Sequence, residues 1–527
     1  MRVVALTFIV LSLSSAQALP QKPDNPGSTI LFVDDHDVLY RAGTQRVFQA
    51  PKRHKDKALM AMSKPWEVGI GYTSIHRDPK TGTYQLWYQA YGGARAGDPA
   101  LKCVVCYAES KDGIQFERPD LDLFPYKGEK SNIVLVSNAL YGDRYCCSVL
   151  VDPLEKDPKR RYKMAYYDWS PVDARPEPGL HVAFSPDGIR WTKHGGTLLK
   201  TLYGGRGLQP PFSDESAFKE TPVKGKPARK SWSYPLTVSD VIDVFWDPVR
   251  RVFVLLAKFW MDGPDGGAAW RNGIMRSESK DFVTWSKPQI VFTPDDDDSP
   301  HTDFHGAPGF YHQGRYFALN QLLDRRAKLG IDIELMTSRD GIAWERPFRK
   351  TLFLPRSKAG LFDSRTILSN STPIILDDEM RFYYGAANVA PLDGVKSEPG
   401  ARSGVGMASL PLDRFAGLKT VTKSEQITLR KPLENVGQIT LKPLDLRKCG
   451  AIQLNADARD GAVRVEILTE DGYRVRGFSR DEAAPVQGDS LRHPVAWKKS
   501  NIRELPPGRY LLRLHVENAT VFAITLR

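Results

Sequence analysis

From Trp66 to Leu418 the chain is a succession of short apolar runs bounded by turn residues. Tyr84-Gln85-Leu86-Trp87-Tyr88, Tyr162-Lys163-Met164-Ala165-Tyr166-Tyr167 and Val252-Phe253-Val254-Leu255-Leu256 are examples. Their length and their β-branched and aromatic content predict strands. Three of these runs follow an earlier one across an Asp-Pro turn, at Asp78-Pro79, Asp152-Pro153 and Asp247-Pro248. Proline cannot continue a central strand, so each pair reads as a hairpin. Gly309–His312 with Tyr316–Leu319, and Pro373–Leu376 with Met380–Tyr384, supply two more.

A turn motif follows four of these hairpins: Ser110-Lys111-Asp112-Gly113-Ile114-Gln115-Phe116, Ser185-Pro186-Asp187-Gly188-Ile189-Arg190-Trp191, Ser279-Lys280-Asp281-Phe282-Val283-Thr284-Trp285 and Ser338-Arg339-Asp340-Gly341-Ile342-Ala343-Trp344. The aspartate caps the turn, the glycine takes a positive φ and the aromatic folds back onto the strands. Trp191 and Trp344 are therefore expected to be buried under their turns. The fifth unit ends in Val405–Ala408 with a degenerate motif. One motif every roughly 60 to 95 residues marks one supersecondary unit, and each unit holds four strands. The fold class expected is all-β: a five-bladed β-propeller over residues 30–418. The segment Ile30–Val38 either completes a blade or crosses the propeller face. From 429 to 527 alternating runs such as Ala462–Leu468 and Tyr510–Val516 predict a small antiparallel β-sandwich.

Met1-Arg2, the apolar run Val3–Leu13 and Ala16-Gln17-Ala18 read as a signal peptide, residues 1–18, with cleavage after Ala18. A secreted or periplasmic protein without membrane insertion is expected. The five cysteines are an odd number, and Cys103 and Cys106 sit in a strand-like run, so neither a disulfide scaffold nor a metal site is expected. The net charge of +12 is dispersed, which argues against a nucleic-acid partner, while an exported basic protein would favour acidic partners such as anionic polysaccharides. The acidic run Asp295–Asp298 reads as a solvated loop. No cofactor and no metal are expected.

Five blades with S-x-D-G-x-x-W turns, Asp-Pro hairpins and a trailing sandwich resemble the five-bladed glycosidases of glycoside hydrolase families 32 and 43. The segments Leu31-Phe32-Val33-Asp34-Asp35 and Val463-Arg464-Val465-Glu466 to Gly477-Phe478 look like a group of uncharacterised secreted bacterial family-32-like proteins. The invertase motif W-M-N-D-P-N-G is absent. The resemblance implies glycoside hydrolysis by paired carboxylates near the propeller axis, with a third charge tuning them.

Acids before successive inner strands are the candidates: Glu67 in blade one, Asp143 beside Arg144 in blade two, and Asp240 in blade three. Glu67 would activate water or attack the sugar. Asp143, next to a guanidinium, suits a base or modulator. Asp240, among Val238, Val241 and Ile242, suits a general acid, because an apolar setting raises a carboxyl pKa. Asp303, His305 and Arg365 would line the far side, with His305 as substitute acid. Trp66, Tyr72 and Trp260 could stack on sugar rings. Two other functions fit the same frame: a non-catalytic glycan-binding propeller, and a structural or interaction protein.

Overall fold

A computed structural model of the protein describes residues 28–92, 98–138, 145–170, 177–200, 218–223, 226–232, 238–261, 271–326, 330–349, 351–369, 372–389, 400, 402–422, 427–428, 431–432, 435–447 and 449–527. Five antiparallel sheets of blade form follow one another along the chain. Blade one comprises Gly69–Arg77, Tyr84–Tyr91, Cys103–Ser110 and Ile133–Leu135. Blade two runs from Tyr145–Val151 through Tyr162–Ser170 and Glu177–Ser185 to Thr192–Lys193, and blade three from Ile242–Asp247 through Val252–Met261 and Arg271–Ser279 to Gln289–Phe292. Blade four has Arg315–Asp324, Gly330–Ser338 and Trp344–Glu345 behind an inner strand split into Thr302–Phe304 and Gly309–His312. Blade five has Glu379–Ala387 and Ser403–Pro411 behind an inner strand split into Thr366–Leu368 and Ile374–Ile375.

The outer strand of blade five comes from the other end of the chain. Lys52–Arg53 and Met60–Ala61 both pair with Ser403–Pro411, so the N-terminal segment closes the ring. Ser28–Leu31, Val38–Ala42 and Thr44–Phe48 do neither of the things expected of the region around Ile30. They pair with C-terminal strands, in one ten-stranded sheet. The propeller strands therefore run from Lys52 to Pro411 rather than from 30 to 418. Ala416–Thr420 already belongs to the C-terminal sheet. The long strand Ile452–Thr469 pairs with Thr520–Leu526 through its first half and with Arg509–Glu517 through its second. This folds the sheet over one core containing Leu454, Ile467, Leu512, Leu514 and Ile524. Leu31, Val33 and Ala523 on its outside join Phe310, Phe317, Phe382 and Phe415 in a second core that fixes the sheet to blades four and five.

The middle strands are buried on both faces, because blades stack face to face. In Val252–Met261 eight consecutive residues are buried, which is why these strands read as continuous apolar runs rather than alternating ones.

The turn motif proves to be a latch between blades. In each turn one aspartate oxygen accepts from two backbone N–H groups, as Asp112 does from Ile114 and Gln115 and Asp187 from Ile189 and Arg190. The carbonyl groups of the turn, pointing outward, are taken by the preceding blade. Trp87 of blade one donates to the Gly188 carbonyl at 2.6 Å. Arg160 of blade two donates to Asp281 O at 2.9 Å, and Arg250 of blade three to Asp340 O. Tyr383 and Arg381 of blade five donate to Gly113 O and Asp112 O at 2.9 and 2.8 Å. Gly113 and Gly188 have φ of 75° and 78°. A Cβ at either would stand 2.5 Å from Tyr383 Oη or 2.7 Å from the Trp87 ring. The glycine thus serves the close approach as well as the turn.

Trp191 and Trp344 are half-buried rather than covered. They lie over the outside of the latch, Trp191 edge-on to Trp87 at 6.5 Å and Trp344 to Phe292 at 5.7 Å. Trp87 of the blade before Trp191's, by contrast, is fully buried. Trp87→Ala should cost about 3–5 kcal/mol, as other fully buried aromatic truncations do. Trp191→Ala should cost clearly less. Denaturant unfolding of both variants checks this, and equal losses would contradict the latch.

Candidate active site

The leading ends of the inner strands depart from regular pairing. In blade one a register shift lies between Ile70 and Thr73, and in blade two between Tyr145 and Ser148, where Cys146 takes a φ of 67°. In blade four the inner strand breaks before Pro308, which has no N–H to give the ladder. Such irregularities re-aim side chains, and here they turn three blades toward one buried polar cluster, which residues just before the regular inner strand of blade three complete.

Tyr72 of blade one and His305 of blade four meet across it, Oη to Nε2, at 3.0 Å. Asp240 enters from blade three. Its Oδ1 is held by Lys258 Nζ at 2.5 Å and by the Ser239 hydroxyl at 3.0 Å. No group among the described residues bonds its Oδ2. Cys146 of blade two places its Sγ 3.5 Å from the Asp240 carbonyl, and its N–H donates to Gln89 Oε1 at 2.6 Å. Asp243, one per cent exposed, stands close enough to act electrostatically on both Tyr72 and Cys146.

The electrostatics overturn two expectations. Burial alone would raise the Asp240 carboxyl, but the charge and hydrogen bond of Lys258, with His305 and Ser239, bring it below its ordinary value. Asp240 is ionised, which does not suit a general acid. The apolar neighbours in sequence are real, but the deciding charge lies on the next strand. Burial lowers His305 from 6.5 to about 3, with Lys258 adding to the effect and Asp240 opposing it. The imidazole is neutral near pH 7 and is no substitute acid. Burial also pushes the Tyr72 hydroxyl and the Cys146 thiol well up, with Asp240 and Asp243 adding to it.

Glu67 is not in this cluster. Its oxygens accept from Ser63 N, Lys64 N, Tyr88 Oη and Arg118, at 2.6 to 3.1 Å. Its side chain is fully buried. Tyr88 and Trp66 belong to the core between blades one and five, with Tyr383 and Met407. Every lone pair facing inward is thus committed to holding that seam, which leaves no place for a water or a sugar. Trp66 is two per cent exposed, donates to Asn132 Oδ1 at 3.1 Å and offers no ring face. Asp303 is buried in an ion pair with Arg325 at 2.5 Å and accepts the Asn272 N–H. Trp260 is half-buried, with Lys258 Nζ 5.9 Å from its ring centre. Arg365 is half-buried at the start of blade five, its N–H bonded to Ala387 O. Asp143 and Arg144 lie outside the described residues. Lys258 is the residue that sequence reasoning missed. Its signal was a single lysine inside the apolar run Val252–Met261.

Among the described residues no helix is long and apolar enough to cross a membrane, and no three His, Cys, Asp or Glu side chains are placed to hold a metal ion. The acidic loop is neutralised, Asp295 by Arg349 and Asp298 by Arg346.

The fold and cluster define a five-bladed propeller protein with an ionised carboxylate where the blades converge. No family model matches the chain, and no curated protein matches it. Solved structures do. One described as a glycoside hydrolase is 15% identical, with 69% of this chain and 92% of that one covered at a TM-score of 0.46. An N-acetylgalactosamine deacetylase from F. plautii is 17% identical, covering 70% and 96% at a TM-score of 0.42. The Bombyx mori family-32 β-fructofuranosidase is 10% identical, covering 89% and 93% at a TM-score of 0.38.

The His305 environment makes a pH prediction. The unfolded chain binds a proton at this histidine near 6.5, whereas the folded chain resists until about 3. Falling pH across that window therefore favours the unfolded state. His305→Asn should flatten the acid side of the Tm–pH profile relative to wild type. Parallel profiles would show that His305 is not buried neutral.

Proposed function

We propose that the chain is a secreted glycoside hydrolase acting on a poly- or oligosaccharide at this cluster. One observation carries the reading. Asp240 is a buried, ionised carboxylate whose counter-ion and hydroxyl donor both engage Oδ1, while Oδ2 accepts nothing from the described residues. The Asp240 side chain is 12% exposed, so the oxygen that accepts nothing from the described residues is open to a ligand, and groups with perturbed protonation concentrate where chemistry is done. Asp240 serves as the ionised member of a carboxylate pair, base or nucleophile. Asp143 of blade two is its proposed partner and would carry the proton delivered to the leaving oxygen, in place of the base or modulator role its arginine neighbour suggests, and Arg144, Tyr72, Trp260, His305 and Arg365 contact the substrate. The separation of the two carboxylates then sets the outcome, retention near 5–5.5 Å and inversion at roughly 6.5–9.5 Å. Residues 1–18 direct export to a secreted or periplasmic location.

The committed hydrogen bonds of Glu67 favour a second reading, a propeller that binds glycan without cleaving it. One experiment separates the two. The protein is screened on plant and algal polysaccharides for released reducing sugar. On an active substrate Asp240→Asn should lower kcat at least about a hundredfold, the scale of acid–base catalysis. Glu67→Gln should lower Tm but leave the turnover of folded protein near wild type. Binding with no turnover across the panel favours the second reading. Near-normal kcat in folded Asp240→Asn removes Asp240 from the mechanism.

A further inference from the structure

One outer face of the C-terminal sheet rests on the propeller through Leu31, Ala523 and Phe415, and through Arg414 bonded to Asn455 and Asp489. The opposite outer face is built from Val38–Ala42, Val436–Leu441, Arg509–Glu517 and the second half of Ile452–Thr469. Directly paired residues on antiparallel strands present their side chains to the same face. Two rows therefore cross this surface: Tyr40, Thr440, Arg513 and Glu466, and beside it Ala42, Gln438, His515 and Arg464.

The charge on the face is unbalanced. Glu466 is one per cent exposed and sits under His515 Nε2 at 3.0 Å and Arg474 Nε at 3.1 Å, with an Arg513 nitrogen at 3.9 Å. Arg480 is exposed and close enough for its charge to act on His515. Arg464 stands opposite His515. Among the described residues neither Arg464 nor Arg480 has a hydrogen-bonding or ion-pair partner. Two guanidinium groups, of Arg474 and Arg513, thus face one carboxylate, two more, of Arg464 and Arg480, lie by His515, and Glu517 lies at the far end of the same strand. Tyr40, 53% exposed, flanks the patch.

We propose that this face is a binding surface for a uronate-rich polysaccharide, separate from the cluster at the propeller centre. The cluster already holds a carboxylate, that of Glu466, and its spare forks can take others bidentately. Tyr40 offers a ring to an adjacent sugar face. A sheet surface suits an extended chain, and its position on the face opposite the propeller leaves both sites accessible on one molecule.

The test is affinity electrophoresis of the full chain in gels containing polygalacturonate, dextran or dextran sulfate. Binding is read without turnover, so the result is independent of the reaction proposed above. Wild type should be retarded by polygalacturonate and not by dextran, with retardation falling as salt rises. Arg464→Gln combined with Arg480→Gln should weaken binding about tenfold, because charge-assisted contacts are lost, at unchanged Tm. Lys55→Gln with Lys57→Gln removes the same charge from the exposed loop between the two ring-closing segments and should bind as wild type. Absence of retardation, equal loss in the lysine control, or equal retention on dextran sulfate would each overturn the proposal.

Discussion

The structure depends on how each blade is tied to the next. A twisted four-stranded sheet cannot stand alone, because both of its faces are apolar. Trp87 and Tyr383 supply the ties, each buried in one blade and donating to a turn carbonyl of the following one. Arg160 and Arg250 do the same with guanidinium groups. The donors differ, but the acceptor is always the backbone of the Asp turn, and that constancy explains why the turn repeats in sequence while its partners do not. In blade three Phe282 replaces the glycine and holds a φ of 66°. Its ring packs against Phe184 of blade two, Phe253 and Trp285, so aromatic contacts offset the strain of the left-handed backbone.

Blade five has no such turn to offer blade four. There the ring is closed by pairing Lys52–Arg53 and Met60–Ala61 to Ser403–Pro411, with Arg53 bonded to buried Asp363 at 2.7 Å. This closure brings the preceding residues alongside the C-terminal sheet, and so makes one body of the two domains. Arg315 of blade four pairs with Asp34 across the junction. Phe317 stacks on Phe415 at 4.6 Å.

Much of this was legible in the sequence. Blade number and order followed from turns and strand runs, because those are local signals. Ring closure was not legible, since pairing between residue 60 and residue 405 leaves no mark in either segment. The candidate site was legible only in part, since Glu67 lies apart from Tyr72, Asp240 and His305. Tyr72, from the first half of one inner strand, Asp240, just before another, and His305, in the break of a third, are brought together. Charge state was not legible. Asp240 and Glu67 look alike as acids ahead of a strand, and what separates them lies outside their own segments, in Lys258 on the next strand and in Arg118 beyond the Asp112 turn.

That difference separates structural carboxylates from the one assigned to chemistry. Glu67 and Asp303 are buried acids whose oxygens are all engaged, by an arginine and by backbone N–H groups. Saturation of this kind fixes a seam and resists a ligand, because any new donor must displace an existing one. Asp240 shares the burial and the cation but concentrates both donors on a single oxygen. The same lysine that holds it ionised also helps keep His305 neutral. A negative oxygen and an uncharged imidazole are thereby maintained within one buried cluster. Lys258 holds the first state and reinforces the second, which burial sets, and it does so from the second strand of blade three.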